Sequence, residues 1–92
     1  VYIPGSSPAI TSIAWCTGAA QDFIFLAEKA GVDAFLTGEV SERTVAFAKE
    51  LGVHFFAAGH HATERYGIQA LGDHLASQFK LRHSFIDVDN PV

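Results

Sequence analysis

The chain has no methionine, one cysteine and three prolines among its 92 residues, and each scarcity narrows what it can be. A lone Cys16 cannot build an internal disulfide framework and fits a reducing compartment, so a cytoplasmic protein is expected. Basic residues are also few, with six Lys and Arg against ten Asp and Glu and a net charge of −4. Affinity for a phosphate backbone rests on clustered Lys and Arg, so these scattered residues argue against a nucleic-acid partner. No apolar run reaches transmembrane length, and no charged-then-apolar leader is present, so no membrane partner is expected. With no methionine, and with Val1-Tyr2-Ile3 reading as the inside of a strand, the chain is expected to be a fragment.

Hydrophobic residues make up 49% and aromatics 12%, enough for one compact core and hardly for two. Residues 1–92 are therefore expected to be one piece of a single α/β protein. Pro4-Gly5-Ser6-Ser7-Pro8 is turn chemistry and should set off a short strand at Val1–Ile3, plausibly as an N-terminal hairpin. Apolar runs then alternate with helical stretches. Strands are expected at residues 10–15, 33–36, 54–57 and 84–88, and helices at residues 20–30, 41–51 and 61–79. Ser41 should cap the second helix and Gly52 should stop it. In the third, Ile68, Leu71, Leu75 and Phe79 recur at three- and four-residue spacing on one face. Strands alternating with helices imply βαβ crossovers and a mostly parallel sheet with helices on its faces.

In such a sheet all parallel strands end at one edge, and ligands bind beyond it. Residues 16–21, Thr37-Gly38-Glu39, residues 58–64 and residues 87–90 should therefore meet along a common rim. His60 and Glu64 stand at i and i+4, so a helix opening there turns both side chains to one side, where they could share a cation. An imidazole with a carboxylate suits Zn, Mn, Fe or Ni rather than Ca. A solvated first turn, with Glu64 complementing the helix dipole, would look the same in isolation. Glu39 reads as an N-terminal helix acid about as readily as it reads as either a general base or a partner orienting a ligand. His61, rotated about 100° from His60 on a helix, is expected to support a ligand or to lie on the surface rather than to bind the ion itself. His54, His74 and His83 are read as non-ligands and Cys16 as a small buried hydrophobe. The loop at residues 17–21 could hold an anion on backbone N–H groups, but it lacks the lysine and spacing of a P-loop. Phe23-Ile24-Phe25-Leu26-Ala27 is apolar all round its helix, so part of it should meet further protein.

Four segments in order, Ala14-Trp15-Cys16-Thr17-Gly18, residues 31–39 ending in Thr37-Gly38-Glu39, Ala58-Gly59-His60-His61-Ala62-Thr63-Glu64-Arg65, and Phe85-Ile86-Asp87 with Asn90-Pro91, resemble the C-terminal motifs of a known family. It is the Nif-three-like, or YbgI-type, family of dinuclear-metal-centre proteins, also known as GTP cyclohydrolase 1 type 2 homologues. The resemblance spans nearly the whole chain. It implies that His60 and Glu64 are metal ligands, with Glu64 bridging two divalent ions of unknown identity (Zn, Fe, Mn or Ni). It further implies that a His-His pair and an Asp come from an N-terminal half of the same protein, and that subunits form a toroidal homohexamer. The activity implied is metal-dependent hydrolysis of a small-molecule substrate, a purine nucleotide such as GTP. Independently of the resemblance, Glu39 is the candidate catalytic residue, to orient the attacking water or accept its proton. The rival reading is a non-catalytic metal-binding or scaffold protein that forms a homo-oligomeric ring.

Overall fold

The computed structural model describes residues 1–92. Three parallel strands lie side by side: β2 (Ile13–Cys16), β3 (Ala34–Thr37) and β4 (His54–Ala57), which with β1 (Tyr2–Ile3) form one sheet in the order β1-β4-β3-β2. The connections are helical, through a 3₁₀ turn at Gln21–Phe23 leading into α1 (Ile24–Lys29), and through α2 (Glu42–Leu51). A long helix, α3 (His60–Phe79), follows β4. The parallel α/β architecture is thus as expected. The first strand, however, is no hairpin with its successor: β1 crosses the sheet and pairs antiparallel with β4, Tyr2 facing Phe56 and Ile3 facing Phe55. The Pro4–Pro8 turn delivers the chain across the strand starts, where Ser6 donates its N–H to the Gly52 carbonyl at 2.9 Å.

Local chemistry fixes the ends of α2. Ser41 precedes its first residue in an extended conformation and donates its N–H to Thr44 Oγ1 at 3.1 Å, which closes a capping box. Gly52 ends the helix at φ 70°, a left-handed conformation that costs glycine little. The core lies between the sheet and these two helices. Phe55 and Ile24 are fully buried there with Ile3, Ala27, Phe35, Ala48 and Val53, and the Phe35 and Phe55 rings pack tilted with centroids 6.0 Å apart. Cys16 is half-buried and packs against this cluster.

Two expectations fail outside the core. Residues 84–88 form no strand: the free edge of β4 is already taken by β1, and the tail straps onto α3 instead, with Arg65 bonded to Asp87 and lying 5.9 Å over the Phe85 ring. The stripe on α3 is real but uncovered, Ile68, Leu71, Leu75 and Phe79 being 40–67% exposed. The helix projects from the sheet, and the radius of gyration of 16.1 Å exceeds the roughly 12 Å expected of a compact chain this long. The sheet face away from α1 and α2 is also open at one edge, where Trp15 is 71% exposed. No helix is long and apolar enough to cross a membrane.

Candidate functional site

The carboxyl ends of β2, β3 and β4 are stitched into one rim by backbone hydrogen bonds. Gly38 N–H donates to the Gly18 carbonyl at 3.1 Å, Ala58 N–H to Thr37 O at 2.9 Å and Gly59 N–H to Gly38 O at 3.0 Å. The buried Thr37 hydroxyl adds a second donor to Gly18 O at 3.1 Å. The expected meeting of residues 16–21, Thr37–Glu39 and the start of α3 is therefore observed.

Helix α3 opens at His60, directly after Gly59, so His60 and Glu64 occupy its first turn and a quarter and face the rim. His60 Nε2 stands 3.1 Å from a Glu64 carboxylate oxygen. Its other ring nitrogen, Nδ1, lies 2.6 Å from Glu39 Oε1. Two ligands each about 2.0–2.2 Å from a shared ion, at tetrahedral to octahedral angles, stand about 2.9–3.5 Å apart. The Nε2–Glu64 separation falls in that range, so the pair fits a divalent cation both in donor chemistry and in spacing. No group of three His, Cys, Asp or Glu side chains in this chain is arranged to hold an ion. This chain therefore offers two donors at the rim and no third.

The hydrogen bond to Glu39 raises the His60 pKa above its ordinary value, desolvation opposes it, and the Glu64 charge raises it further. Both ring nitrogens face carboxylates, so a proton on Nε2 and a cation compete for one position between His60 and Glu64. An open cavity of about 330 Å³ borders the pair, lined by His60, His61, Glu64, Asn90 and Val92. A larger cleft of about 560 Å³ runs from Glu39 to Pro91 with Glu39 as its only ionisable side chain, whereas the smaller one is lined by His60, His61 and Glu64 together.

The neighbouring histidine lines the same cavity but finds its partners in the C-terminal tail. His61 Nε2 lies 3.5 Å from Asp87 Oδ1 and its backbone N–H donates to Val92 O at 2.8 Å. The other three histidines stay away from the pair. His54 is buried at the opposite end of the sheet, accepting at Nδ1 from Gly5 N–H (3.1 Å) and bonded through Nε2 to Ser7 O (2.9 Å). His83 bonds Asp73 at 2.9 Å, and His74 is exposed.

Two glycines complete the site and were missed as site residues in the sequence. At φ 77° Gly18 brings bare backbone against the pair: a Cβ there would lie 2.8 Å from Glu64 Oε1 and 3.4 Å from His60 Nε2. A Cβ at Gly38 would lie 2.8 Å from both Gly18 O and the His60 Cα. The signal was present, a Gly one or two residues beyond each strand end, but only the register of the sheet turns it into proximity.

Three parallel strands whose carboxyl-end rim carries a His–Glu pair place that pair at the edge where open α/β sheets commonly bind ligands. The chain belongs to the Duf34/NIF3 (NGG1p interacting factor 3) family, whose family model matches residues 1–91. Among curated relatives, the GTP cyclohydrolase 1 type 2 homolog of Pseudomonas aeruginosa is 65% identical over 83 residues, 90% of this chain and 33% of that protein. The Escherichia coli K12 protein of the same name is 56% identical over 83 residues, 90% of this chain and 34% of its own length. A solved structure described as protein ybgI, of unknown function, superposes with a TM-score of 0.94 at 50% identity over all of this chain and 38% of that one. A Thermus thermophilus crystal structure gives a TM-score of 0.86 at 27% identity, over all of this chain and 37% of its own. The chain thus spans about a third of the length of the curated relatives it matches.

Proposed function

We propose that this chain contributes His60 Nε2 and the Glu64 carboxylate to a dinuclear divalent metal centre, completed by ligands from the rest of the full-length protein. The observation that carries the proposal is the 3.1 Å approach of the two donor atoms on the strand-end rim, with the bare backbone of Gly18 leaving room beside them. A two-donor set is too small for a stable site, since structural and catalytic centres gather three or four protein groups. The relatives' length and the uncovered apolar surface at Trp15, Leu71 and Phe79 support further protein packing here, either the N-terminal half or a second subunit of a homo-oligomeric ring.

The name carried by the relatives points to GTP as the first substrate to try, in a metal-dependent hydrolysis. When bound, a divalent pair supplies an activated water and a Lewis acid for the group attacked. The chain's own part is to fix two donors, to keep Glu39 beside them, and to leave the cavity lined by His61 and Asn90 open for a small molecule. The competing reading, a non-catalytic metal-binding ring, draws support from Glu39, whose Oε1 is engaged by His60 rather than free as a base. The test is metal-loaded full-length protein incubated with GTP. Metal-dependent product release that disappears in His60→Ala supports the hydrolase, whereas metal bound at the site without turnover supports the ring.

A further inference from the structure

Glu39 admits three roles by its sequence position, and the geometry separates them. Helix α2 starts at Glu42 behind Ser41, and Glu42 is the acid of its first turn. Glu39 lies outside that turn, where the field of the helix end has fallen off. A free base is not what is seen either, because Glu39 Oε1 lies 2.6 Å from His60 Nδ1. Nor does Glu39 sit with Glu64 on the Nε2 side of the ring, which is the side where an ion would be shared.

We propose that Glu39 is the positioning residue of the site: by accepting the Nδ1–H of His60 it fixes the imidazole tautomer and ring rotation that present Nε2 as the ligand atom. The inference rests on the metal-site reading above. A neutral imidazole carries one N–H, and the nitrogen that holds it is set by the hydrogen bond it makes. A carboxylate on Nδ1 leaves the Nε2 lone pair for the ion and increases its basicity. The backbone around Glu39 is built to hold it there. Gly38 is bonded on one side to Gly18 O and on the other to Gly59 N–H, and its Cα packs so close to the His60 Cα that a Cβ would not fit. The carboxylate is therefore aimed from a fixed peptide at the first residue of α3, so that its distance to His60 does not depend on a long flexible loop.

The test uses full-length protein, Zn²⁺ as the probe, and competition with a chelator to read affinity, alongside the visible spectrum of Co²⁺-loaded protein. Glu39→Ala should weaken Zn²⁺ by about 10- to 100-fold and alter the Co²⁺ spectrum. Glu39→Gln should recover most of the affinity, because its amide oxygen still accepts from Nδ1. Thermal midpoints of the metal-free proteins should stay together, which a merely structural Glu39 would not allow. Unchanged affinity in Glu39→Ala overturns the inference, as does a Glu39→Gln variant no better than Ala. So does loss as complete as in His60→Ala, which would make Glu39 a ligand itself. If His60→Ala also binds Zn²⁺ normally, the metal-site reading fails, and this inference with it. Normal binding in Glu39→Ala alone removes only the inference.

Discussion

The two ends of the sheet use the same side-chain types, histidine and carboxylate, to opposite effect. At the strand starts, Asp33 Oδ2 accepts from the backbone N–H and hydroxyl of both Thr11 and Ser12, at 2.7–3.0 Å. Those four donors hold its carboxyl well below the usual carboxylate range. His54, at the same end, spends both ring nitrogens on Tyr2, Gly5 and Ser7. Each polar group there is closed within the chain, which makes it a fastener for the β1 crossover and the start of β2. At the strand ends, by contrast, His60 Nε2 and Glu64 meet each other and the open cavity. Side-chain identity does not separate the two ends: His54 is buried among backbone and hydroxyl partners, whereas His60 stands between two carboxylates beside an open cavity.

The comparison breaks most visibly in metal binding. His60→Ala and Glu64→Ala in the full-length protein should each lower Zn²⁺ affinity by more than the roughly 10- to 100-fold typical of supporting partners, with the far-UV circular dichroism unchanged. His54→Ala should show the reverse pattern: full metal content by elemental analysis, and a loss of about 1–3 kcal/mol in denaturant unfolding as Gly5 N–H and Ser7 O lose their partner. Equal metal loss at His54 and His60 would erase the distinction between the two ends.

Gly18→Ala sharpens it further. The added methyl meets Glu64 Oε1 at 2.8 Å and the φ of 77° is unfavourable for alanine, so about 1 kcal/mol of stability and part of the metal affinity should go together. A stability loss with intact affinity would show that Glu64 can move aside. The smallest effect is expected at Asp33. Its pKa is lower folded than unfolded, so its contribution is complete above the ordinary value of 3.8 and is lost as pH falls through that value toward the depressed one. The stability gap between wild type and Asp33→Asn should be constant near neutrality and close below about pH 4, as followed by urea unfolding across the acid range. A gap that persists there would mean the carboxylate charge is not what Thr11 and Ser12 hold.

Much of the frame was legible because local signals and the fold agree. The Ser41 start, the Gly52 stop and strand 54–57 are each fixed by a few neighbouring residues, and the i, i+4 spacing of His60 and Glu64 needs only a helix to become a pair. What was not legible depended on distant strands. The β1 crossover to β4 is decided by where a free edge lies, which the Pro4–Pro8 turn does not encode. Ser84–Val88 has a strand's composition, yet Arg65 and the occupied β4 edge give it a different place. The α3 stripe has the spacing of a buried face, but no element of these residues packs over it, and its side chains stay exposed. The sequence leaves Glu39 open among three roles and carries no sign of its contact with His60 Nδ1, and only the register of β2, β3 and β4 brings Gly18 and Gly38 against the pair.

The central claim is that His60 and Glu64 are joint ligands, and anomalous X-ray scattering at the zinc edge, on crystals of the full-length protein grown with Zn²⁺, tests it most directly. A peak is expected about 2.0–2.2 Å from both His60 Nε2 and a Glu64 oxygen, with Glu39 still bonded to Nδ1. A peak seated instead on His61 and Asp87, or none on this rim while the protein holds stoichiometric zinc elsewhere, would contradict it.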